Sequence, residues 1–401
     1  MSPSGRGPLE GLKVIELAHI MSGPTCGLML ADMGADVIKV EKPEGDDARR
    51  FLPPAINGEA AAFMMMNRSK RGMVIDLKNE AGRAILRRLV SKADVLIENF
   101  RTGAMEKLDL GYETLRADNP GLIYCEITGY GSTGPYAERA GFDLIAQGMS
   151  GLMAITGEGP SRPPIKVGAP VSDIVAGVLA AMGICAAYAH KLKTGEGQKV
   201  DTSLFEAGII LTYWQSAIAF ATGRSPGPMG SAHPINAPYQ AFRTADGWIN
   251  VGAANQRNWE RLLTVIDRPD LQDDPRFSTN ERRMNNLASL VEVLAAILEH
   301  RPTAYWLEKL DSVGVPAGPV LSIAQMHRDP QAVAREMVPE IDHPVAGKVQ
   351  TIGAPVKFSR TAREVKGGAP TLGQHTRDVL REFGYDASEI ERFIEAGAVI
   401  A

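Results

Sequence analysis

The sequence has 401 residues, of which 44% are hydrophobic and 22% charged, and its formal net charge at pH 7 is −4. A chain of this length and composition is expected to be a globular protein with two or three domains. The weak net charge argues against a general surface for nucleic acid or anionic membranes, so we expect neither as a partner.

The cysteines and histidines argue against a metal site. Cys26, Cys125 and Cys185 are widely spaced and odd in number, which is typical of buried thiols in a reducing compartment. The seven histidines never fall at ligand spacing. The opening stretch MSPSGRGPLEGLKVIEL has no apolar core or cleavage pattern of a signal peptide. We therefore expect a cytoplasmic protein without a bound metal.

The N-terminal third alternates between strand and helix patterns. LKVIEL is a predicted strand, followed by a helix from Gly23 to Met33 and by a second strand, DVIKVE. Further strands are predicted at 73–77, 94–100 and 122–131, and further helices at 80–91 and 113–117. This alternation predicts an α/β fold with a parallel sheet and helices on both faces.

Nucleotide-binding motifs are missing from this alternating region. The loop AHIMSGPTCG after the first strand lacks G-x-G-x-x-G, and the P-loop pattern is absent from the chain, which argues against a dehydrogenase and against ATP-driven chemistry. No G-x-S-x-G elbow supports a serine hydrolase. His19 and His233 are isolated, and the sequence assigns them no role.

Two acids at helix starts are candidates for chemistry. Asp173 precedes a long uncharged stretch, and Asp143 follows the glycine-rich loop 129–134. Each acid would serve as a helix N-cap, contributing about 1 kcal/mol to stability. Asp173 is also a candidate nucleophile, because a helix dipole would hold its carboxylate ionised with a low pKa. The residues alone leave both interpretations open.

Uncharged stretches at 174–190 and 207–223 approach the length of a membrane span. Both are rich in alanine and glycine, and the segment between them predicts a turn and a strand, so we expect core helices. Beyond them, a Gly/Pro-rich linker precedes a predicted hairpin and several helices. We predict a large domain beginning with 1–224, a small α+β domain at 225–325, and a return segment at 326–401.

Basic and polar residues follow the ends of predicted strands, where open α/β sheets bind their ligands. Asn99, Phe100, Arg101 and Lys107 lie in ENFRTGAMEKL, and Lys42 lies in EKPEGDDARR. These loops are either a site for a phosphorylated ligand or ordinary solvated loops.

Taken together and in order, segments covering nearly the whole chain resemble the class III CoA-transferases of the CaiB/BaiF family. The segments are LADMGADVIKVEKPEGDDAR, NRSKRGMVIDLK, ADVLIENFRTGAMEKLDLGYETL, GYGSTGPY, GFDLIAQ, SDIVAGVLAA, KTGEGQKVDTSLFE, GVPAGPV and LGQHTRDVL. The resemblance implies that Asp173 is a nucleophile that attacks an acyl-CoA, forming an acyl-aspartyl anhydride and then an aspartyl-CoA thioester. Asp143 matches an acid that orients this nucleophile. The substrates would be acyl-CoA and a free carboxylic acid, with no tightly bound cofactor.

By the same resemblance, several residues line the CoA site. They are Lys42, Asn99, Phe100 and Lys107, with Arg101 assigned from its place in the same loop. The implied fold is a large Rossmann-like α/β domain formed by both chain ends, with a small middle domain. The implied assembly is an interlocked homodimer.

The resemblance leaves alternatives open. Racemases of 2-methylacyl-CoA share the fold but carry a histidine where this chain has Phe142, which cannot transfer a proton. A non-catalytic acyl-CoA-binding protein is a third possibility. Met21 replaces a glutamine found in oxalate-specific transferases, which disfavours oxalate. The segment 230–255 is more similar to transferases that use succinyl-CoA and a dicarboxylate such as glutarate.

Overall fold

The computed structural model describes residues 7–361 and 365–401. The first six residues of the stretch analysed for a signal peptide therefore lie outside the described part. The described chain divides into two compact units, one comprising residues 7–152, 166–213, 330–361 and 365–401, and the other residues 153–165 and 214–329. The domain boundaries at 225 and 325 stay predictions; the second unit of this division also takes in 153–165, 214–224 and 326–329.

The strands are Lys13–Glu16 (β1), Asp36–Glu41 (β2), Ala55–Ile56 (β3), Glu59–Ala60 (β4), Arg71–Ile75 (β5), Val95–Glu98 (β6), Ile123–Thr128 (β7), Lys199–Ser203 (β8), Tyr239–Arg243 (β9), Trp248–Gly252 (β10), Ala317–Pro319 (β11), Glu340–His343 (β12), Gly347–Gln350 (β13) and Val399–Ile400 (β14).

The α-helices are Ser22–Asp32 (α1), Ala61–Asn67 (α2), Glu80–Val90 (α3), Tyr112–Asp118 (α4), Asp143–Met149 (α5), Leu152–Ile155 (α6), Val171–Thr194 (α7), Leu204–Ile210 (α8), Tyr213–Thr222 (α9), Gln256–Val265 (α10), Asn280–Asn285 (α11), Leu287–Leu298 (α12), Thr303–Ser312 (α13), Ile323–Met326 (α14), Pro330–Ala334 (α15), Thr376–Glu382 (α16) and Ala387–Glu395 (α17). Short 3-10 helices cover Asp47–Arg50, Glu106–Leu108 and Pro269–Gln272.

The first unit is built on a seven-stranded sheet in the order β14-β5-β2-β1-β6-β7-β8. Neighbouring strands are parallel except for β14, which pairs antiparallel with β5. The predicted α/β fold and its parallel sheet are therefore confirmed, and both chain ends contribute strands to this one sheet.

Helices cover both faces of this sheet because its strands are apolar on both sides. On one face, α3, α4, α16 and α17 pack their buried aliphatic side chains into one core cluster. On the other face, α1, α7 and α8 form a second cluster. The predicted helices on both faces are thereby confirmed.

Helix α7 approaches α1 very closely. A Cβ atom placed on Gly177 would lie 2.5 Å from the carbonyl oxygen of Ser22 and 2.7 Å from the Cβ of Thr25. Only glycine at position 177 permits this spacing, so it fixes the start of α1 beside the first turns of α7.

Within the described residues, α7 is long and apolar enough to cross a membrane, and α8 with α9 would count as a second span if that bent pair were one segment. Alanines 176, 180, 181 and 187 of α7 are buried in the core cluster with α1. The prediction of a core helix is confirmed for 174–190, but it is wrong for the part of 207–223 that forms α9, which has no buried residue.

The second unit has its own antiparallel sheet, in the order β11-β10-β9, and its own apolar core. Strands β9 and β10 form the predicted hairpin. The guanidinium of Arg283 is wholly buried there and donates hydrogen bonds to the carbonyl oxygens of Ala237 and Phe277, at 2.7 and 2.9 Å. It thereby holds the linker segment before β9 against α11.

Candidate functional site

Two cavities lie where the parallel strands of the first unit end. One, of about 290 Å³, includes Lys42 and Lys78 in its wall and is called the lysine cavity here. The other, of about 550 Å³, includes Asp173 and is called the aspartate cavity. His19 and Phe100 contribute to both walls, so the cavities adjoin at these two side chains.

The sheet topology explains this location. Strands β2 and β5 lie on one side of β1, whereas β6, β7 and β8 lie on the other. The loops that leave β1 and β6 therefore diverge and open a crevice at the carboxyl ends of these two strands, as is usual at such a reversal of strand order. Residues 19–22 and 99–102 from these loops line the aspartate cavity.

Asn99 fixes the loop after β1. Its Oδ1 accepts a hydrogen bond from the N–H of His19 at 3.0 Å, and its Nδ2 donates to the carbonyl oxygen of His19 at 2.9 Å. The amide also donates to Ser22 Oγ at 3.3 Å. Asn99 thus lies in the cavity wall, as predicted from its position, but its polar atoms hold the backbone of the neighbouring loop.

A buried charge network holds the next residue of this loop. Ile20 has a φ of 68°, which is costly for a β-branched residue. Its N–H donates to Asp46 Oδ1 at 3.1 Å, and Lys39 Nζ lies 2.8 Å from Asp46 Oδ2. Lys39 also contacts Glu16 at 3.2 Å. Burial raises the pKa of Asp46, but the charge and hydrogen bond of Lys39 together with the N–H groups of Ala48 and Ile20 lower it more, so the pKa lies below its ordinary value.

Asp173 is the third residue of α7 and lines the aspartate cavity. The residue at the N-cap position is Pro170, and no side chain of the cap residue bonds to the helix, so the N-cap interpretation of Asp173 is wrong. Burial, with a smaller contribution from the charge of Asp143, raises the pKa of Asp173 to about 7. The low pKa expected from the helix dipole is also wrong, because burial removes the hydration that favours the ionised form.

Asp143 is the first residue of α5, and Phe142 occupies the N-cap position without a side-chain bond. The N-cap interpretation is therefore wrong for Asp143 with respect to its own helix. Instead, Oδ1 of Asp143 accepts a hydrogen bond from the N–H of Ser172 in α7 at 2.9 Å. Its Oδ2 accepts a bond from Gln147 Nε2 at 2.7 Å. Asp143 is thus connected to Asp173 through the backbone N–H of Ser172, the residue directly before Asp173.

Phe142 lies in the wall of the aspartate cavity and is 69% exposed. A close backbone contact holds the segment before Phe142 at this cavity, because a Cβ on Gly129 would lie 2.7 Å from the Cα of Gly141. The backbone of Gly129 at the start of the glycine-rich loop therefore packs directly on the backbone of Gly141. The phenylalanine offers this cavity no group that titrates.

Two arginines contribute cationic groups to the aspartate cavity. Arg101 was predicted to lie in the site, whereas Arg139 was not. The guanidinium of Arg139 stacks on the ring of Tyr136, 4.0 Å from its centroid, which restrains the side chain. The sequence signal for Arg139 was its place in the segment between the glycine-rich loop and Asp143.

Lys42 lies in the wall of the lysine cavity, and its Nζ is 2.9 Å from Asp47 Oδ1. Lys78 lies in the same wall and was not predicted from the sequence. It follows the carboxyl end of β5, so the expectation that ligands bind at the carboxyl ends of strands, which was applied to residues 99–107, would have indicated it as well. Lys107 belongs to the 3-10 helix Glu106–Leu108 but is in the wall of neither cavity. His19, which the sequence assigned no role, lies in both walls.

Across residues 7–361 and 365–401, no group of three or more His, Cys, Asp or Glu side chains is placed to hold a metal ion. The ionisable groups of the aspartate cavity are instead the carboxyl of Asp173, the imidazole of His19 and the two guanidinium groups. Burial lowers the pKa of His19, so its imidazole is neutral at pH 7. A carboxyl group in one wall with two guanidinium groups is suited to nucleophilic attack on an anionic substrate.

Comparison with known proteins agrees with this chemistry. Residues 9–376 match CoA-transferase family III. A succinate–glutarate CoA-transferase of Agrobacterium fabrum is 41% identical over 95% of this chain and 96% of its own length. A succinyl-CoA:mesaconate CoA-transferase of Haloarcula hispanica is 40% identical over 94% of this chain and 97% of its own length. The crystal structure of a CaiB/BaiF family protein from Brucella suis is 42% identical, with a TM-score of 0.85 over 94% of this chain and 100% of that chain.

The chain belongs to CoA-transferase family III, the CaiB/BaiF family. It is a class III CoA-transferase, and the family assignment made from its sequence motifs is confirmed. Its substrates are, at the level of the family, an acyl-CoA and a carboxylic acid.

Proposed function

We propose that this enzyme transfers CoA from succinyl-CoA, or a closely similar acyl-CoA, to a dicarboxylic acid, with Asp173 as the covalent nucleophile. The observation that carries the proposal is the position of Asp173 in the wall of a cavity that also contains Phe100 and Arg101 and adjoins the cavity of Lys42 and Lys78. The lysines of one cavity would pair with the phosphate groups of CoA, and the carboxyl group of the other cavity would meet its reactive thioester.

The proposed reaction balances without an external energy source. The carboxylate of Asp173 attacks the thioester carbonyl, the C–S bond breaks, and CoA leaves as a thiolate. The thiolate then attacks the Asp173 carbonyl of the resulting anhydride and releases the donor acid, which leaves an aspartyl-CoA thioester. The acceptor carboxylate attacks this thioester, the C–S bond breaks, and the CoA thiolate leaves a second anhydride between Asp173 and the acceptor. The thiolate then attacks the acceptor carbonyl of this anhydride, which forms the acceptor acyl-CoA and releases the carboxylate of Asp173. Splitting the exchange into such steps is the advantage of covalent catalysis.

The raised pKa of Asp173 is compatible with this role. With a pKa of about 7, the carboxyl group is roughly half ionised at neutral pH. A buried carboxylate is poorly hydrated, so it attacks a carbonyl more readily than one surrounded by water. In this proposal Asp143 orients the nucleophile by holding the N–H of Ser172, at 2.9 Å.

The CoA moiety is proposed to lie along both cavities. Lys42 and Lys78 would contact its phosphate groups, and Phe100, shared by both walls, would contact the pantetheine arm. Asn99 supports this path by fixing His19, and Arg101 adds a cation beside it. Lys107, outside both walls, would act on the approaching ligand.

A dicarboxylate as acceptor is supported by the charge of the aspartate cavity. Arg101 and Arg139 offer guanidinium groups in the cavity that holds Asp173, and a guanidinium pairs well with a second carboxylate. Relatives named for succinate, glutarate and mesaconate point in the same direction.

A homodimer is proposed from the exposed face of α7. Ile174, Val178 and Met182 recur every four residues, and the side chain of Met182 is 63% exposed. Such a stripe on a long helix is typical of an interface. A mass measured by light scattering during gel filtration should equal two chains, and a mass of one chain would remove this part of the proposal.

The test of the chemistry is intact-protein mass after mixing with succinyl-CoA, followed by hydroxylamine. The wild type should give a hydroxamate on the peptide that contains Asp173, and Asp173→Ala should give none while binding CoA within about tenfold of the wild type. If no acyl-CoA donor gives an adduct, the nucleophile assignment fails. Exchange of the proton beside the thioester with solvent deuterium would then indicate the racemase alternative, and its absence a binding protein.

A further inference from the structure

The helix that presents Asp173 is held at its start by a side chain outside both cavity walls. Gln147 lies in α5, one turn after Asp143, and is wholly buried. Its Nε2 donates to Asp143 Oδ2 at 2.7 Å, and its Oε1 accepts from the N–H of Val167 at 2.9 Å. One amide group therefore connects α5 to the segment that leads into α7.

The orientation of this amide is determined by its partners. A carboxylate oxygen only accepts hydrogen bonds, so the atom facing Asp143 must be the donating Nε2. The N–H of Val167 only donates, so the atom facing it must be the accepting Oε1. No other neutral side chain of this length satisfies both partners at once, because it must donate at one atom and accept at the other.

The other carboxylate oxygen of Asp143 connects α5 to the start of α7. This oxygen, Oδ1, accepts the N–H of Ser172, directly before Asp173, at 2.9 Å. Helix α7 starts at Val171 without a side-chain cap of its own, so Asp143 supplies the acceptor that this helix start otherwise lacks. A rotation of the Asp143 carboxylate would release the first turn of α7, and Gln147 is the side chain that prevents this rotation.

We propose that Gln147 is a positioning residue for the transfer reaction: it fixes Asp143 and residues 167–169 so that the first turn of α7 presents Asp173 to the thioester. The inference rests on the proposed role of Asp173 as nucleophile. Gln147 contributes to neither cavity wall, so its effect is on the rate of the covalent step rather than on the binding of acyl-CoA.

Two substitutions separate the parts of this role. Gln147→Leu keeps much of the volume but leaves Asp143 Oδ2 and the N–H of Val167 without a partner. Gln147→Glu keeps the shape and the acceptor for Val167, and it adds a titrating group beside Asp143. The leucine variant should form the adduct more slowly at every pH, whereas the glutamate variant should shift the pH at which adduct formation reaches half its maximum.

A matched control removes a buried hydrogen bond elsewhere in the same unit. Thr376 is wholly buried and its Oγ1 accepts the N–H of Val74 at 3.2 Å, far along the chain from α5. Thr376→Val therefore reports the effect of a general loss of stability on the reaction. Thermal unfolding of all variants identifies any that are unfolded at the assay temperature, and Gln147→Glu is the variant to rely on if Gln147→Leu does not fold.

The experiment is single-turnover adduct formation with succinyl-CoA, followed by intact mass across pH 5.5 to 8.5. For Gln147→Leu we expect a rate at least about tenfold lower than that of the wild type, with half-saturating succinyl-CoA within about threefold. Thr376→Val should stay within about twofold of the wild-type rate.

Three outcomes would overturn the inference. If the wild type forms the adduct on Asp173 but both Gln147 variants match it in rate and pH profile, Gln147 has no positioning role, while the proposed nucleophile stands. If both Gln147 variants and Thr376→Val slow the reaction equally, the effect is one of stability alone. Absence of any wild-type adduct would instead remove the proposed function, and the positioning role with it.

Discussion

The carboxylate of Asp143 acts electrostatically on Asp173 while both of its own oxygens are occupied by hydrogen-bond donors, Ser172 N–H and Gln147 Nε2. The partly buried carboxyl of Asp173 accepts neither of these two hydrogen bonds, and its pKa is raised to about 7 by burial first and by the charge of Asp143 second. Asp143 therefore holds the start of α7 through hydrogen bonds, whereas Asp173 titrates near neutral pH.

This division predicts the pH dependence of the first chemical step. Because only the ionised carboxylate attacks, the rate of adduct formation should rise about tenfold per pH unit below the pKa and level off above about 7. Asp143→Asn should move this midpoint to lower pH, since one of the two causes of the raised pKa is removed. Its plateau should be lower, because the new amide faces Gln147 Nε2. Rapid-quench mass analysis of both proteins measures the two midpoints, and an equal midpoint would show that the Asp143 charge does not reach Asp173.

The same pKa predicts a pH-dependent cost to stability. The folded protein holds the Asp173 proton more tightly than the unfolded chain, whose pKa is near the ordinary 3.8. The stability contributed by this carboxyl is therefore complete below pH 4 and is lost as the pH rises to about 7. Asp173→Asn should be more stable than the wild type at pH 8, by on the order of 2 kcal/mol after allowing for partial solvent access. The difference should be much smaller at pH 5.

Thermal unfolding at both pH values measures this difference. Asp273→Asn, which removes a carboxylate from an exposed position in the second unit, is the control and should show little difference at either pH. An Asp173→Asn variant that is less stable than the wild type at pH 8 would mean that the carboxylate makes favourable contacts when ionised.

The sequence predicted those parts of the fold that depend on short-range patterns. The central strands, such as β6 with Val95 to Glu98 buried throughout, appear as continuous apolar runs between turn residues. Asn99 and Phe100 were predicted at a ligand-binding edge because they follow such a strand. Strand β14 has only two residues, too few for any periodicity, and its place in the sheet came from family resemblance alone.

The parts that could not be predicted depend on contacts between distant residues. Gln147 lies 20 residues from Val167, and Glu16 lies 23 residues from Lys39, so no local pattern links either pair. The pKa of Asp173 was wrong in direction for a related reason. The helix dipole is visible in the sequence, whereas the burial that raises this pKa is created only when the chain folds.

The buried ion pairs that hold Ile20 predict that replacing Asp46 will destabilise the protein much more than replacing its neighbour Asp47. Asp46→Ala should destabilise the protein by about 3 kcal/mol, because Lys39 then loses one of its anions in the interior and the Ile20 N–H loses its acceptor. Asp47→Ala removes only exposed ion pairs with Lys42 and Arg50 and should cost at most about 1 kcal/mol. Denaturant unfolding of both variants measures the contrast, and equal losses would mean that the buried network does not stabilise the loop.

The contact between α1 and α7 predicts that one added methyl group will disturb both the fold and the reaction. In Gly177→Ala the new Cβ would lie 2.5 Å from the carbonyl oxygen of Ser22, so the two helices must move apart. Overpacking of this kind costs about 1 to 3 kcal/mol. Ser22 lines the aspartate cavity and Asp173 lies one turn before Gly177, so adduct formation should also slow.

Gly227→Ala is the control for this substitution, because a Cβ at Gly227 would meet no atom within 4 Å and its backbone does not require glycine. Thermal unfolding and single-turnover adduct formation should both separate the two variants. Wild-type stability together with a wild-type rate in Gly177→Ala would mean that the helices are not held as closely as the structure has them. A loss of stability without a loss of rate would mean that the start of α7 keeps its position when α1 moves away, as the hydrogen bond from the N–H of Ser172 to Asp143 would allow.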